Sequence, residues 1–131
     1  IAIKNGIDGF VAVNTTTARP QPTSTRSRRA FSESGGLSGR PLKGRSLELI
    51  RLVYKRAGNN YPIVGVGGID GPQSAWDAIT SGATLLQLYS ALVFNGPAVV
   101  KKTIRGLKRR LQQEGIVNLH DAIGIFSDND R

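Results

Sequence analysis

The chain has 131 residues, a 39% hydrophobic share and a formal net charge of +9. These values suit a packed globular chain long enough for one core and exclude a disordered or collagen-like one. Cysteine is absent and His120 is the single histidine, so no disulfide framework or thiolate metal site is available, and His120 alone cannot build a zinc centre. No apolar run reaches the roughly 20 residues that span a bilayer, and the first residues lack a signal peptide's basic, apolar and small-residue succession.

Ile1 opens the chain without Met and runs almost at once into a strand-like stretch, so a fragment of a longer protein is expected. Gly9 to Val13 is too short for a helix and reads as a buried strand ending at the polar Asn14-Thr15-Thr16. Arg19 to Arg45 follows, rich in Pro, Ser, Thr, Gly and Arg. It is too long for an ordinary connection and is therefore expected to be functional or mobile.

Ser46 is expected to cap a helix to Ala57, with Leu49, Ile50, Val53 and Tyr54 on one stripe and Glu48, Arg51 and Lys55 elsewhere. Gly58-Asn59-Asn60 stops it. Pro62 to Val66 reads as a second buried strand. The turn Gly67 to Gly71 then leads into a helix from Pro72, with Trp76 and Ile79 on its apolar side. Ala83 to Tyr89 gives a third strand, and Leu92 to Asn95 has room for a short extra helix before Gly96-Pro97.

The last long helix spans Ala98 to Glu114. Its expected inner stripe is Val99, Val100, Thr103, Ile104, Leu107 and Leu111, while Lys101, Lys102, Arg105, Lys108 and Arg109 face water. Strands alternating with amphipathic helices predict an α/β fold with a parallel sheet, doubly wound or closed as a (β/α)₈ barrel. A complete barrel takes about 250 residues, so this chain would supply roughly half of one.

In such folds ligands bind beyond the carboxyl ends of the strands. Those ends carry Asn14-Thr15-Thr16, Gly67-Gly68 and Tyr89-Ser90, with Gly35 to Gly39 following the first strand. Gly39, Gly67 and Gly68 suit close backbone approach to a phosphate, with Ser90 adding a hydroxyl; plain turns are the other reading. Asn14 and Thr15 suit a planar ring with carbonyl and N–H edges, or an Asx-type turn. His120-Asp121 is not an acid–base pair, because adjacent helical residues point apart; Asn118 to Ile123 reads as a short capped turn. The positive charge permits a non-catalytic phosphate- or nucleic-acid-binding domain as the alternative, although no aromatic interleaving or binding module accompanies it.

The succession Asn14-Thr15-Thr16, Gly35-Gly36-Leu37-Ser38-Gly39-Arg40-Pro41-Leu42, Pro62-Ile63-Val64-Gly65-Val66-Gly67-Gly68-Ile69 and Gln87-Leu88-Tyr89-Ser90 resembles class 2 dihydroorotate dehydrogenase. The similarity runs on through Asn95-Gly96-Pro97 to Asp121-Ala122-Ile123-Gly124. The resemblance implies a (β/α)₈ TIM barrel that binds FMN, oxidises dihydroorotate to orotate in pyrimidine (UMP) synthesis and passes the electrons to a membrane quinone. Residues 1–131 would form its C-terminal portion, the last three β/α units of an incomplete barrel. By position in the motifs, Gly39, Gly68, Tyr89 and Ser90 would contact FMN, the last three near its phosphate, and Asn14 and Thr15 would hold the orotate ring. Gly68→Val is expected to crowd that phosphate.

Val13 stands where the family usually carries Ser or Thr beside the flavin, so a hydroxyl contact is lost. The basic Arg19 to Glu33 stretch lies in a loop expected to fold over the site and to be mobile. The family's serine base, flavin-contacting lysine and quinone tunnel belong to sequence upstream of Ile1. No catalytic residue or metal ligand is therefore assigned, and the segment alone is expected to be inactive. The resemblance places the intact enzyme at the mitochondrial inner membrane of a eukaryote, toward which the Asp121 to Gly124 ending leans, or at a bacterial plasma membrane. The isolated segment is expected to be soluble-looking or unstable, with exposed strand edges.

Overall fold

A computed structural model describes residues 1–127. Three parallel strands form one sheet in chain order: β1 (Phe10–Ala12), β2 (Ile63–Val66) and β3 (Leu85–Gln87). Phe10 pairs with Ile63, and Val64 pairs with Leu85. The helices are α1 (Thr25–Ser32), α2 (Lys43–Ala57), α3 (Pro72–Thr80), α4 (Ser90–Asn95) and α5 (Ala98–Glu114). The expected strand–helix alternation is present, as three β/α units and not a closed barrel.

The central strand shows why the layers form. Ile63 and Gly65 are buried while Val64 and Val66 are half-buried, the period-2 alternation of a strand packed more tightly on one side. Ile63 joins Ala12, Ile50, Ile69, Ala75, Ala78 and Ala83 in the core that seals α2 and α3 to the sheet. Gly65 keeps that approach close, since a Cβ there would lie 2.9 Å from Ala83 Cβ and 3.2 Å from Ile50 Cδ1. On the flanking strands Val11 and Leu85 are exposed, as expected for sheet edges with no further strand among the described residues.

A second cluster, Trp76, Ile79 and Ala122, holds α3 against α5 through Leu107 and Leu111. The Arg110 guanidinium lies 5.6 Å from the Trp76 ring centroid, and its Nη2 pairs with Glu114 at 2.8 Å. Gly106 sits mid-helix, where glycine costs about 1 kcal/mol relative to alanine. It serves packing, because a Cβ would overlap the Pro72 side chain at the start of α3. Gly106→Ala is therefore expected to destabilise the full-length protein by about 1–3 kcal/mol through overpacking despite its better helix propensity. Denaturant unfolding checks this, and a gain in stability would show that the two helices separate freely.

Four expectations need correction. The α2 helix begins at Lys43, so Ser46 does not cap it; Ser46 is buried and donates its hydroxyl to Val66 O at 2.8 Å. Leu47, not Leu49, accompanies Ile50, Val53 and Tyr54 in the core, which turns the buried stripe slightly from the expected one. On α5, Val100 is 43% and Ile104 62% exposed, because the helix rests on α3 along Val99, Thr103 and Leu107. The Arg19 to Arg45 stretch, read as one long loop, contains α1, where Ser24 and Ser27 form a reciprocal cap, and the opening of α2.

Candidate functional site

The strand ends open on one cleft of about 1140 Å³, and all six residues singled out from the sequence line it: Asn14, Thr15, Gly39, Gly68, Tyr89 and Ser90. Val13, Ser38, Arg40, Asp70 and Phe94 share its wall. Leu92 to Asn95 is helical as expected, and α4 extends back to Ser90.

β1 delivers the first pair. Val13 N–H donates to Val66 O at 3.0 Å, which carries the ladder one residue past the strand. Asn14 Oδ1 then accepts from the adjacent Thr15 N at 2.8 Å, while Thr16 N donates to Leu37 O, so the bond to the residue two on that defines an Asx turn is not made. The Thr15 contact occupies one oxygen and leaves the Nδ2 amide without a protein acceptor among the described residues. Thr15 packs on Gly36, where any Cβ would overlap its side chain. Leu37 and Thr16 exchange backbone bonds of 2.7 and 3.1 Å, which brings the Gly35 to Gly39 segment alongside Asn14 and Thr15.

The opposite end is built from glycines and hydroxyls. Gly67 and Gly68 have φ of +112° and +72°, in the region that favours glycine. The Gly68 N–H has no protein acceptor among the described residues. Ser90 Oγ lies 2.8 Å from Ser38 Oγ, which joins the loop to the end of β3. Gly39 faces this pair, and a Cβ on it would lie 3.7 Å from Ser90 Cβ, an ordinary contact. Gly68 differs: a Cβ there would lie 2.7 Å from Lys43 Cα and 2.8 Å from Lys43 N. Glycine is thus required at 68 by the passage of α2, whatever occupies the cleft. Tyr89 is 76% exposed and stands at the head of α4.

The sequence reading did not single out the ion pair in the wall. Arg40 Nε donates to Asp70 Oδ2 at 2.6 Å, and Ser74 Oγ donates to Asp70 Oδ1 at 3.0 Å. Thirty residues separate Arg40 from Asp70, so spacing offered no signal. Arg40's hydrogen bond is the main reason the Asp70 carboxyl is held below the usual carboxylate range; Ser74 adds to the effect and partial burial opposes it. A lowered folded pKa contributes stability that is full above the ordinary value of 3.8 and is lost as pH falls through the folded value. Asp70→Asn is expected to lower stability at neutral pH by up to about 1 kcal/mol, the scale of a largely solvated pair. The melting-temperature gap to the unsubstituted protein should close below pH 3.8; a gap independent of pH would contradict the pair's role. His120 lies in a 3₁₀ turn over Leu119–Ala122, outside the cleft lining.

Three β/α units whose strand ends meet in a cleft of glycines, hydroxyls and amides are the arrangement found at the carboxyl end of part of a β/α barrel. The comparisons with known proteins agree. The dihydroorotate dehydrogenase family model matches residues 1–111, and the chain belongs to that family. It is 45% identical over 124 residues to a dihydroorotate dehydrogenase (quinone) of Streptomyces coelicolor, covering 95% of this chain and 34% of the relative. The protein of the same name from Natronomonas pharaonis is 42% identical over 120 residues, covering 92% and 33%. Among solved structures, DHODH of Eimeria tenella in complex with ferulenol superposes with a TM-score of 0.87 at 35% identity, covering 97% of this chain and 33% of that one. The ligand-free type from Eimeria tenella gives 0.84 at 36% identity, covering 95% and 34%. The chain thus spans about a third of the length of these relatives.

Proposed function

We propose that this chain supplies cofactor-phosphate and substrate-ring contacts to a quinone-dependent dihydroorotate dehydrogenase of pyrimidine biosynthesis, as the last three β/α units of its barrel. The observation that carries this reading is the meeting of Asn14, Thr15, Gly39, Gly68, Tyr89 and Ser90 in one cleft.

The residues fit FMN. The N–H of Gly68 and the hydroxyls of Ser38 and Ser90 suit a phosphate. A cleft of about 1140 Å³ exceeds what a single drug-sized ligand fills and leaves room for a second ring. A bound flavin would accept the hydride removed from dihydroorotate and hand the electrons on to quinone. This chain's residues hold and orient: Asn14 Nδ2 and the Thr15 hydroxyl would fix the substrate ring's polar edge, and Gly39 and Ser90 would contact the flavin. Val13 supplies an apolar contact at its place in the cleft wall. The proton-accepting base is not assigned to this chain.

Because quinones of this class partition into lipid, the working protein is placed at a membrane, the mitochondrial inner membrane in a eukaryote or the plasma membrane in a bacterium. Among the described residues no helix is long and apolar enough to cross a membrane.

The native polypeptide isolated from its source tests the reading. Its intact mass should lie well above 14.0 kDa, and it should form orotate from dihydroorotate with a quinone as acceptor. A protein of that larger mass that forms no orotate would sink the assignment.

A further inference from the structure

The two ends of the cleft are carried by separate stretches of chain, Asn14-Thr15 after β1 and Ser38-Gly39 before α2, with α1 and its approaches between them. One side chain spans the join. Arg19 Nη1 donates to Thr16 O and Thr17 O, each at 3.1 Å, and touches Ala18 O at 3.5 Å. Its Nη2 donates to Gly35 O at 2.6 Å, and its Nε donates to Phe31 O at 3.3 Å. One guanidinium thus gathers carbonyls from the segment just after Thr15, from the last turn of α1 and from the residue just before Gly36.

We infer that Arg19 is a positioning residue for substrate binding: it clamps the ring-side segment to the phosphate-side segment and fixes α1 between them. Arg19 is absent from the cleft wall and lies behind it, in a recess formed with Thr16, Pro20, Leu37 and Pro41, so it acts through Thr15 and Gly36 and not by contact with a ligand. The choice of side chain follows from geometry. A guanidinium stays charged and presents five N–H groups in a planar fork, whereas a lysine ammonium offers three donors from a single point. The carbonyls of Thr16, Thr17, Phe31 and Gly35 lie around that fork on three segments of chain, four acceptors against an ammonium's three donors. Without the clamp, the Thr16–Leu37 bridge alone would hold Thr15 against Gly36.

The inference rests on the dihydroorotate dehydrogenase reading, and its test uses the full-length flavoprotein. Arg19→Ala should raise KM for dihydroorotate by about tenfold or more, the loss expected when a binding group is no longer held in place. Flavin content should stay that of the unsubstituted enzyme. Arg19→Lys should recover only a small part of the loss, and added guanidinium should lower the KM of Arg19→Ala toward its original value. An unchanged KM in Arg19→Ala would overturn the inference, whether or not the melting temperature falls. Full rescue by Arg19→Lys would also overturn it, since charge alone would then suffice. If the unsubstituted enzyme forms no orotate, the functional reading has failed and not the clamp.

Discussion

Gly68→Val in the full-length protein is expected to lose cofactor and fold together. The new Cβ would meet the Lys43 backbone at 2.7 Å in a residue held at φ +72°. Overpacking and left-handed strain each cost roughly 1–3 kcal/mol, and backbone cannot swing aside as a side-chain tip can. A destabilisation of about 3 kcal/mol or more follows from their sum, visible as a lower denaturation midpoint. Loss of flavin in this variant therefore does not by itself locate a phosphate, contrary to the expectation formed from sequence.

Gly39→Ala makes the sharper probe. Its methyl would have 3.7 Å of clearance to Ser90, so the expected cost to the fold is the strain of φ +78° and ψ −155°, a conformation almost confined to glycine, about 1–3 kcal/mol. FMN retention should fall by roughly tenfold or more if the flavin passes that surface. A variant that keeps both its fold and its full flavin content would remove Gly39 from the cofactor site.

The second large effect is expected at Asn14. Asn14→Ala should lower kcat/KM for dihydroorotate by about 10- to 100-fold, as removal of a ring-orienting partner costs about 1–3 kcal/mol. Flavin content should be unchanged. Asn14 also accepts the Thr15 N–H, so the loss could come from a disturbed local backbone. Asn14→Asp separates the two causes: an aspartate oxygen still accepts that N–H, yet it offers no donor and adds negative charge beside an anionic substrate. A ring-holding Asn14 predicts that the Asp variant is as impaired as the Ala variant. Steady-state kinetics of both decide, and normal activity in Asn14→Asp would reduce Asn14 to a local backbone role.

The sequence was most readable where the local pattern sets the structure. Apolar runs at Phe10–Ala12 and Ile63–Val66 became strands, and Gly96-Pro97 separated α4 from α5. The polar strand ends were identifiable because parallel sheets place their ligands there, and the six residues singled out by the family resemblance line a single cleft. What stayed hidden depended on distant partners. Ser46 looks like a cap but is needed by Val66 O across the sheet. Gly68 looks like a phosphate glycine, and its steric need comes from Lys43. Val100 and Ile104 fit an amphipathic stripe, yet α5 turns Val99, Thr103 and Leu107 inward, with Gly106 against Pro72 of α3, and leaves both exposed. The clamp of Arg19 joins residues up to 16 positions away through backbone oxygens, which carry no sequence signature.

The central claim is that this cleft holds a flavin against dihydroorotate. The most direct test is the anaerobic absorbance spectrum of the full-length polypeptide, purified with whatever it retains, before and after dihydroorotate is added. The account predicts an oxidised flavin band in the isolated protein that bleaches on addition of dihydroorotate and returns when a quinone is supplied. A protein isolated without flavin, or with a flavin that dihydroorotate leaves oxidised, would contradict it.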